Sequence, residues 1–201
     1  MSADTVPADI KPRRAAPMSA PERRAAIIEA TIPLLRTHGL AITTRQIATA
    51  ACVAEGTVFS VFDDKESLIA AAVDAALDPE PVAERLASIE ATGPLDAQLV
   101  EAVQVLQDHV ARTWQLLVAV GPAGQPRRPQ SASNEAAARQ AAAIEPLFRA
   151  VAADLRQDPT DAARALLALT VGCSHPAIVA TPMPPEQIVD LLLGGVWRPA
   201  R

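Results

Sequence analysis

Three observations predict an all-α chain. Half of the 201 residues are hydrophobic but only 2% are aromatic, so the core is built from Ala, Leu and Val, a mixture that favours helices over strands. Ser19, Thr43 and Asp63 each stand three residues before a Glu or Gln, the spacing at which a helix start is capped. Beyond those signals apolar residues recur every three and four positions. The length suits one small domain plus a larger one, with room for a real core.

Ser19 and Glu22 cap a first long helix that runs to about His38, where Gly39 stops it. Ile27, Ala30 and Leu34, flanked by Ile28 and Leu35, form its inward stripe, and Pro33 should bend it. Thr43 and Gln46 cap a second helix over about residues 44–51, turning Ile47, Ala48 and Ala51 inward. After a tight turn around Cys52, a third helix over about residues 55–62 contributes Val58, Val61 and Phe62. Ala48 is small where the two short helices must cross. Two short helices, a short turn and a small residue at the crossing are the signature of a helix-turn-helix. Asp63 and Glu66 then read as the capping box of a fourth helix, beginning at Asp64-Lys65, with Leu68, Ile69, Ala72 and Val73 inward.

The run EGTVFSVFDDKESL (residues 55–68) resembles a family, the TetR-type one-component repressors of bacteria. It is similar to their recognition helix and the lysine-bearing start of their fourth helix. The resemblance is sharp over residues 22–77 and beyond them is a matter of length and helical content. It implies a sequence-specific DNA-binding transcriptional regulator, a repressor released from its operator by an unknown small-molecule effector. It also implies a homodimer with a double-stranded DNA operator as partner. Carried over residue by residue, the DNA-binding set is Thr43, Thr44, Arg45, Glu55, Gly56, Thr57, Phe59, Ser60 and Lys65. The threonines can donate to phosphates alongside backbone N–H groups, and a phosphate is the expected partner of Lys65.

Four positions depart from the family pattern. Cys52 stands where Gly is usual, which costs on the order of 1 kcal/mol if the backbone there needs positive φ. Its thiol reads either as a redox sensor or as a partly buried structural group, and the second is favoured because no base is near in sequence. Phe59 replaces the usual Tyr and Ser60 the usual His or Arg, so a phenol contact to phosphate is lost. Glu55 replaces a common Lys; it either accepts from a cytosine amino group or complements the helix N-terminal dipole. These departures keep an alternative open, a helix-turn-helix-derived protein-interaction module that no longer reads DNA.

Residues 1–18, with Pro7, Pro12 and Pro17, read as a disordered basic arm. Its Lys11, Arg13 and Arg14 either trail along DNA or merely solubilise. Residues 19–77 form the DNA-binding domain, Pro79 and Pro81 mark its boundary, and residues 78–201 form a larger helical ligand-binding and dimerisation domain. There a short helix over residues 82–91 precedes a long one over residues 95–120, with Leu99, Val103, Leu106, Val110, Trp114 and Leu117 inward. Residues 121–134, rich in Pro, Gly and Ser, read as a flexible loop. Residues 135–157 are helical with a bend at Pro146, and two more helices start near Thr160 and Glu186. Those two are apolar on nearly every face, so a second subunit must cover them. Leu166, Leu169, Ile188, Leu192 and Val196 are the expected dimer interface, and His109, Trp114, Phe148 and His175 the candidate ligand-binding residues.

The net charge of −5 is unevenly divided. Residues 11–45 carry seven basic against two acidic side chains, whereas residues 73–201 carry 10 basic and 15 acidic. A basic end facing phosphates and an acidic body turned away fits that split. No nucleophile–base pair or metal-type spacing is present, so neither an enzyme nor a cofactor or metal is expected. Residues 165–185 have transmembrane length but are broken by Gly172, Ser174, His175, Pro176 and Pro182, and the N-terminus lacks a signal-peptide core. A cytoplasmic protein with no membrane partner is expected, and Cys52 and Cys173 suit a reducing compartment.

Overall fold

The computed structural model describes residues 18–196, and of 195 and 196 the backbone alone. The basic arm and the side chain of Val196 lie outside the described residues. Among them the regular elements are all helical: α1 (Ala20–His38), α2 (Thr44–Ala50), α3 (Glu55–Val61), α4 (Lys65–Ala76), α5 (Glu80–Ala87), α6 (Leu95–Gly124), α7 (Gln130–Arg149), α8 (Pro159–Gly172) and α9 (Pro185–Val196).

The caps explain the first boundaries. Ser19 Oγ accepts from the Glu22 N–H at 3.3 Å while Glu22 accepts from the Ser19 N–H at 2.7 Å. Thr43 and Gln46 form the same box at the start of α2. For α4 the expected box is one residue out: Asp64, not Asp63, is the cap, accepting from the Ser67 N–H at 2.7 Å. α1 runs on through Pro33. Its buried stripe is Ile27, Thr31 and Leu35 rather than one through Ala30 and Leu34. Thr31 is tolerated there because its hydroxyl donates to the Ile27 carbonyl at 2.7 Å.

Two hydrophobic cores result. The first joins α1 to α4 around Ile27, Leu35, Ile47, Val58, Phe62 and Leu68. Leu116 and Val120 from the far end of α6 are buried in this same core. Gly39, at φ 56°, lets α1 end directly against α6; a Cβ there would stand 2.4 Å from the Ala119 carbonyl oxygen. The second core gathers α5 to α9 around Leu86, Leu99, Leu106, Ile144, Phe148 and Leu166. α6 therefore belongs to both.

The body departs from expectation in several places, beginning with α5, which spans Glu80–Ala87 rather than residues 82–91. α6 keeps helical geometry to Val120, then Gly121 turns to φ 61° and residues 122–124 make one further turn. α7 begins at Gln130, behind Pro129, so the second part of the expected loop is helix. It ends at Arg149, and a 3-10 turn over Ala152–Asp154 precedes α8. Residues 173–184 fold back as turns, with the Gln107 amide on α6 donating to Ser174 Oγ at 2.9 Å and the Met183 carbonyl at 2.8 Å. No described helix is long and apolar enough to cross a membrane.

Candidate nucleic-acid interface and effector cavity

α2 and α3 place the predicted DNA-facing residues at one end of the molecule. Thr43, Arg45, Glu55, Gly56, Phe59 and Ser60 are exposed, and Thr44, Thr57 and Lys65 half-buried beside them. Phe59 is 54% exposed, so its ring is open to contact from outside the chain. The opposite face of α3 holds Val58 in the core, and buried Ala48 leaves room for the α2–α3 crossing. Arg24 lies over the Phe62 ring at 4.3 Å, fixing α1 against the end of α3, a contact that helical spacing alone does not reveal.

Several of these polar groups already have partners. The Thr44 hydroxyl donates to Glu55 Oε1 at 2.7 Å, tying the start of α2 to the start of α3. Glu55 thus bridges two helices, a role outside both readings given to it. Ser60 Oγ donates to the Thr57 carbonyl at 2.8 Å. Lys65 Nζ donates to the Leu40 carbonyl at 2.8 Å, beyond the end of α1. A phosphate contact from Lys65 must replace or share that bond. Cys52 takes φ 55°, the strained backbone expected for a non-Gly residue there. Its thiol is exposed, against the favoured reading of a partly buried structural group.

A cavity of about 410 Å³ lies between α6, α7 and α8 and reaches the end of α4. His109, Trp114 and His175, three of the candidate ligand-binding residues, line it, with Trp114 and His175 in edge-to-face contact, ring centroids 4.8 Å apart. Phe148 does not: it is fully buried in the core, because the inward face of α7 at that turn meets the other body helices rather than the cavity. Burial, with a smaller contribution from the positive charge of Arg112, lowers the His109 pKa from its ordinary value. Missed from sequence were Thr113, Gln140 and Arg128 on the wall. Arg128 fell within a stretch read as loop, and the only signal was its charge amid Pro, Gln and Ser.

The expected dimer residues are also revised. Leu166, Ile188 and Leu192 are buried in this chain's own core, since α8 and α9 pack on each other and on α6 and α7. Leu169 remains half-buried, and Leu191 is 57% exposed. Among the described side chains of α9, Leu191 is the large apolar one left uncovered.

Residues 27–72 match the family model described as bacterial regulatory proteins, tetR family. No curated protein is significantly similar to the chain. Among solved structures, the reduced form of NemR from E. coli is similar at TM-score 0.62 and 17% identity, over 89% of this chain and 99% of that one. A tetR-family transcriptional regulator from Streptomyces coelicolor aligns at TM-score 0.59 and 20% identity, over 88% and 79%. NalD from Pseudomonas aeruginosa, the secondary repressor of the MexAB-OprM multidrug efflux pump, aligns at TM-score 0.52 and 24% identity, over 90% and 100%. Residues 27–72 thus form a tetR-family regulatory domain, and the chain that carries it has the fold of tetR-type transcriptional regulators.

Proposed function

We propose that the protein is a DNA-binding transcriptional regulator, a repressor that acts as a homodimer and is released from its operator by a small molecule. The observation that carries this reading is the outer face of α2 and α3. It is mostly polar, with Phe59 its one large exposed apolar side chain, set on a buried core and flanked by Lys65. Such a face fits α3 in a major groove, with threonine hydroxyls and helix N-termini on phosphates. NalD, similar in fold, is itself a repressor. The cavity supports a small-molecule effector, because its size and mixed apolar and polar wall match small-molecule sites. An effector acts only through unequal affinity for the DNA-competent and incompetent geometries. α6 contributes to both cores and to the cavity wall, so it joins the two functions.

The test is binding to the DNA flanking the protein's own gene across a salt series. Specific binding is expected, with log affinity falling linearly against log salt. Lys65→Ala should weaken binding on all sequences and reduce that slope by about 0.9, one released counterion. An unchanged slope assigns Lys65 only to the Leu40 carbonyl. No binding to any flanking DNA, even at low salt, would turn the reading toward a protein-interaction module.

A further inference from the structure

The wall of the cavity carries a charge pattern that narrows what can enter. No Asp or Glu lines it among the described residues, and its one permanent charge is the Arg128 guanidinium. The flat faces and edges come from Trp114 and His175. Arg128 is 34% exposed and holds the end of α4 by three hydrogen bonds: to the Leu77 carbonyl at 3.2 Å, the Asp74 carbonyl at 3.2 Å and Asp74 Oδ1 at 3.1 Å. Asp74 itself is 59% exposed. Ion pairs this open to water contribute little, so the guanidinium is exchangeable toward a better acceptor inside the cavity. An aromatic cation would find no carboxylate there and would lose its hydration uncompensated. A carboxylate finds Arg128, whose planar fork matches it bidentately.

We propose that the cavity takes a planar aromatic acid, its ring against Trp114 and His175 and its carboxylate on Arg128. The proposal rests on the reading of this cavity as the effector site. The burial that lowers the His109 pKa fits an apolar ring beside it. Capture of Arg128 removes the hydrogen bonds that fasten the end of α4, so occupancy of the cavity reaches the helix that begins with Lys65.

Three naphthyl probes of different charge decide it: 2-naphthoate, its isostere 2-naphthamide and 2-naphthyltrimethylammonium, titrated calorimetrically into the full chain. Naphthoate should bind tightest and the ammonium weakest. Arg128→Gln should weaken naphthoate by about tenfold or more, the loss of a charge-assisted pair, and leave the amide within about twofold. The amide is the control for any loosening caused by breaking the Asp74 contact. Equal binding of acid and amide, preference for the ammonium, an Arg128→Gln variant that keeps its naphthoate affinity, or no binding of any probe overturns the proposal. Filling the cavity with Ala136→Trp, or more mildly Ala136→Leu, separates the two levels. If the filled variants lose every probe while the acid shows no advantage, the cavity stands and the acid does not. If they bind as the wild type does, the effector site lies elsewhere and both readings fall.

Discussion

Cys52 has no stereochemical reason to sit at φ 55°, since an L side chain there is strained by about 1 kcal/mol or more. Cys52→Gly removes that strain and loses part of the gain to a freer unfolded chain. A net stabilisation of about 0.5–1 kcal/mol is expected, read as a higher urea midpoint at unchanged m-value. The strain was legible because Gly is expected at that point of the turn; the exposure of the thiol was not, because it depends on where neighbouring helices leave the chain. His109 gives a second residue-scale prediction. Its lowered pKa means that the folded protein binds fewer protons than the unfolded one. Its contribution is therefore full above the ordinary imidazole value of about 6.5 and declines as pH falls toward the folded value. His109→Asn should flatten thermal stability against pH just below 6.5. An unchanged slope would show that the imidazole is solvated equally in both states.

At the scale of the helix, α1 carries Pro33 in its interior and still runs unbroken to His38. Proline there forgoes a hydrogen bond to the Glu29 carbonyl and crowds it, a cost of about 3 kcal/mol in ordinary helices. Pro33→Ala should raise stability by about 2 kcal/mol once the freer unfolded chain is allowed for, measured by equilibrium denaturation. The helix starts of the DNA-binding domain were readable because Ser19 and Thr43 cap by a local rule. The α4 box slipped by one residue because the Glu/Gln spacing selects Asp63 with Glu66, whereas Asp64 caps with the hydroxyl of Ser67, which that spacing rule passes over. α7 was cut short in prediction because Ser and Gln after a proline look like loop. Pro129 is instead a helix-starting residue, where the lack of an N–H costs nothing because the first turn does not need one.

For the whole molecule, neighbours in sequence test the assembly. Leu191 points outward and Leu192, at 3% exposed, packs inward. Leu191→Glu should leave the fold intact, yield a monomer in sedimentation velocity and lower operator affinity with the loss of paired reading heads. A variant that remains a dimer would move the interface off α9. Leu192→Glu should instead destabilise each subunit by several kcal/mol, because it buries an unpaired charge. The sequence reading had Leu192 at the interface. A helix apolar on every face needs cover, but periodicity does not say whether that cover comes from its own chain. Three of the four candidate cavity residues were found because aromatic and imidazole rings are scarce here; Phe148 was lost because scarcity does not distinguish a wall from a core.

Leu116 and Val120 have a further consequence for how such regulators can be recombined. The proline pair before the body suggests a seam, but a head cut there would leave behind two side chains that fill its centre. It would also lose the surface that Gly39 meets at Ala119. A transplant of this reading head onto another sensor has to carry the tip of α6 as a graft, or find a host whose own helix offers Leu and Val in the same register. The unit to be grafted is thus discontinuous: one segment from the start of the chain and one short segment from its middle.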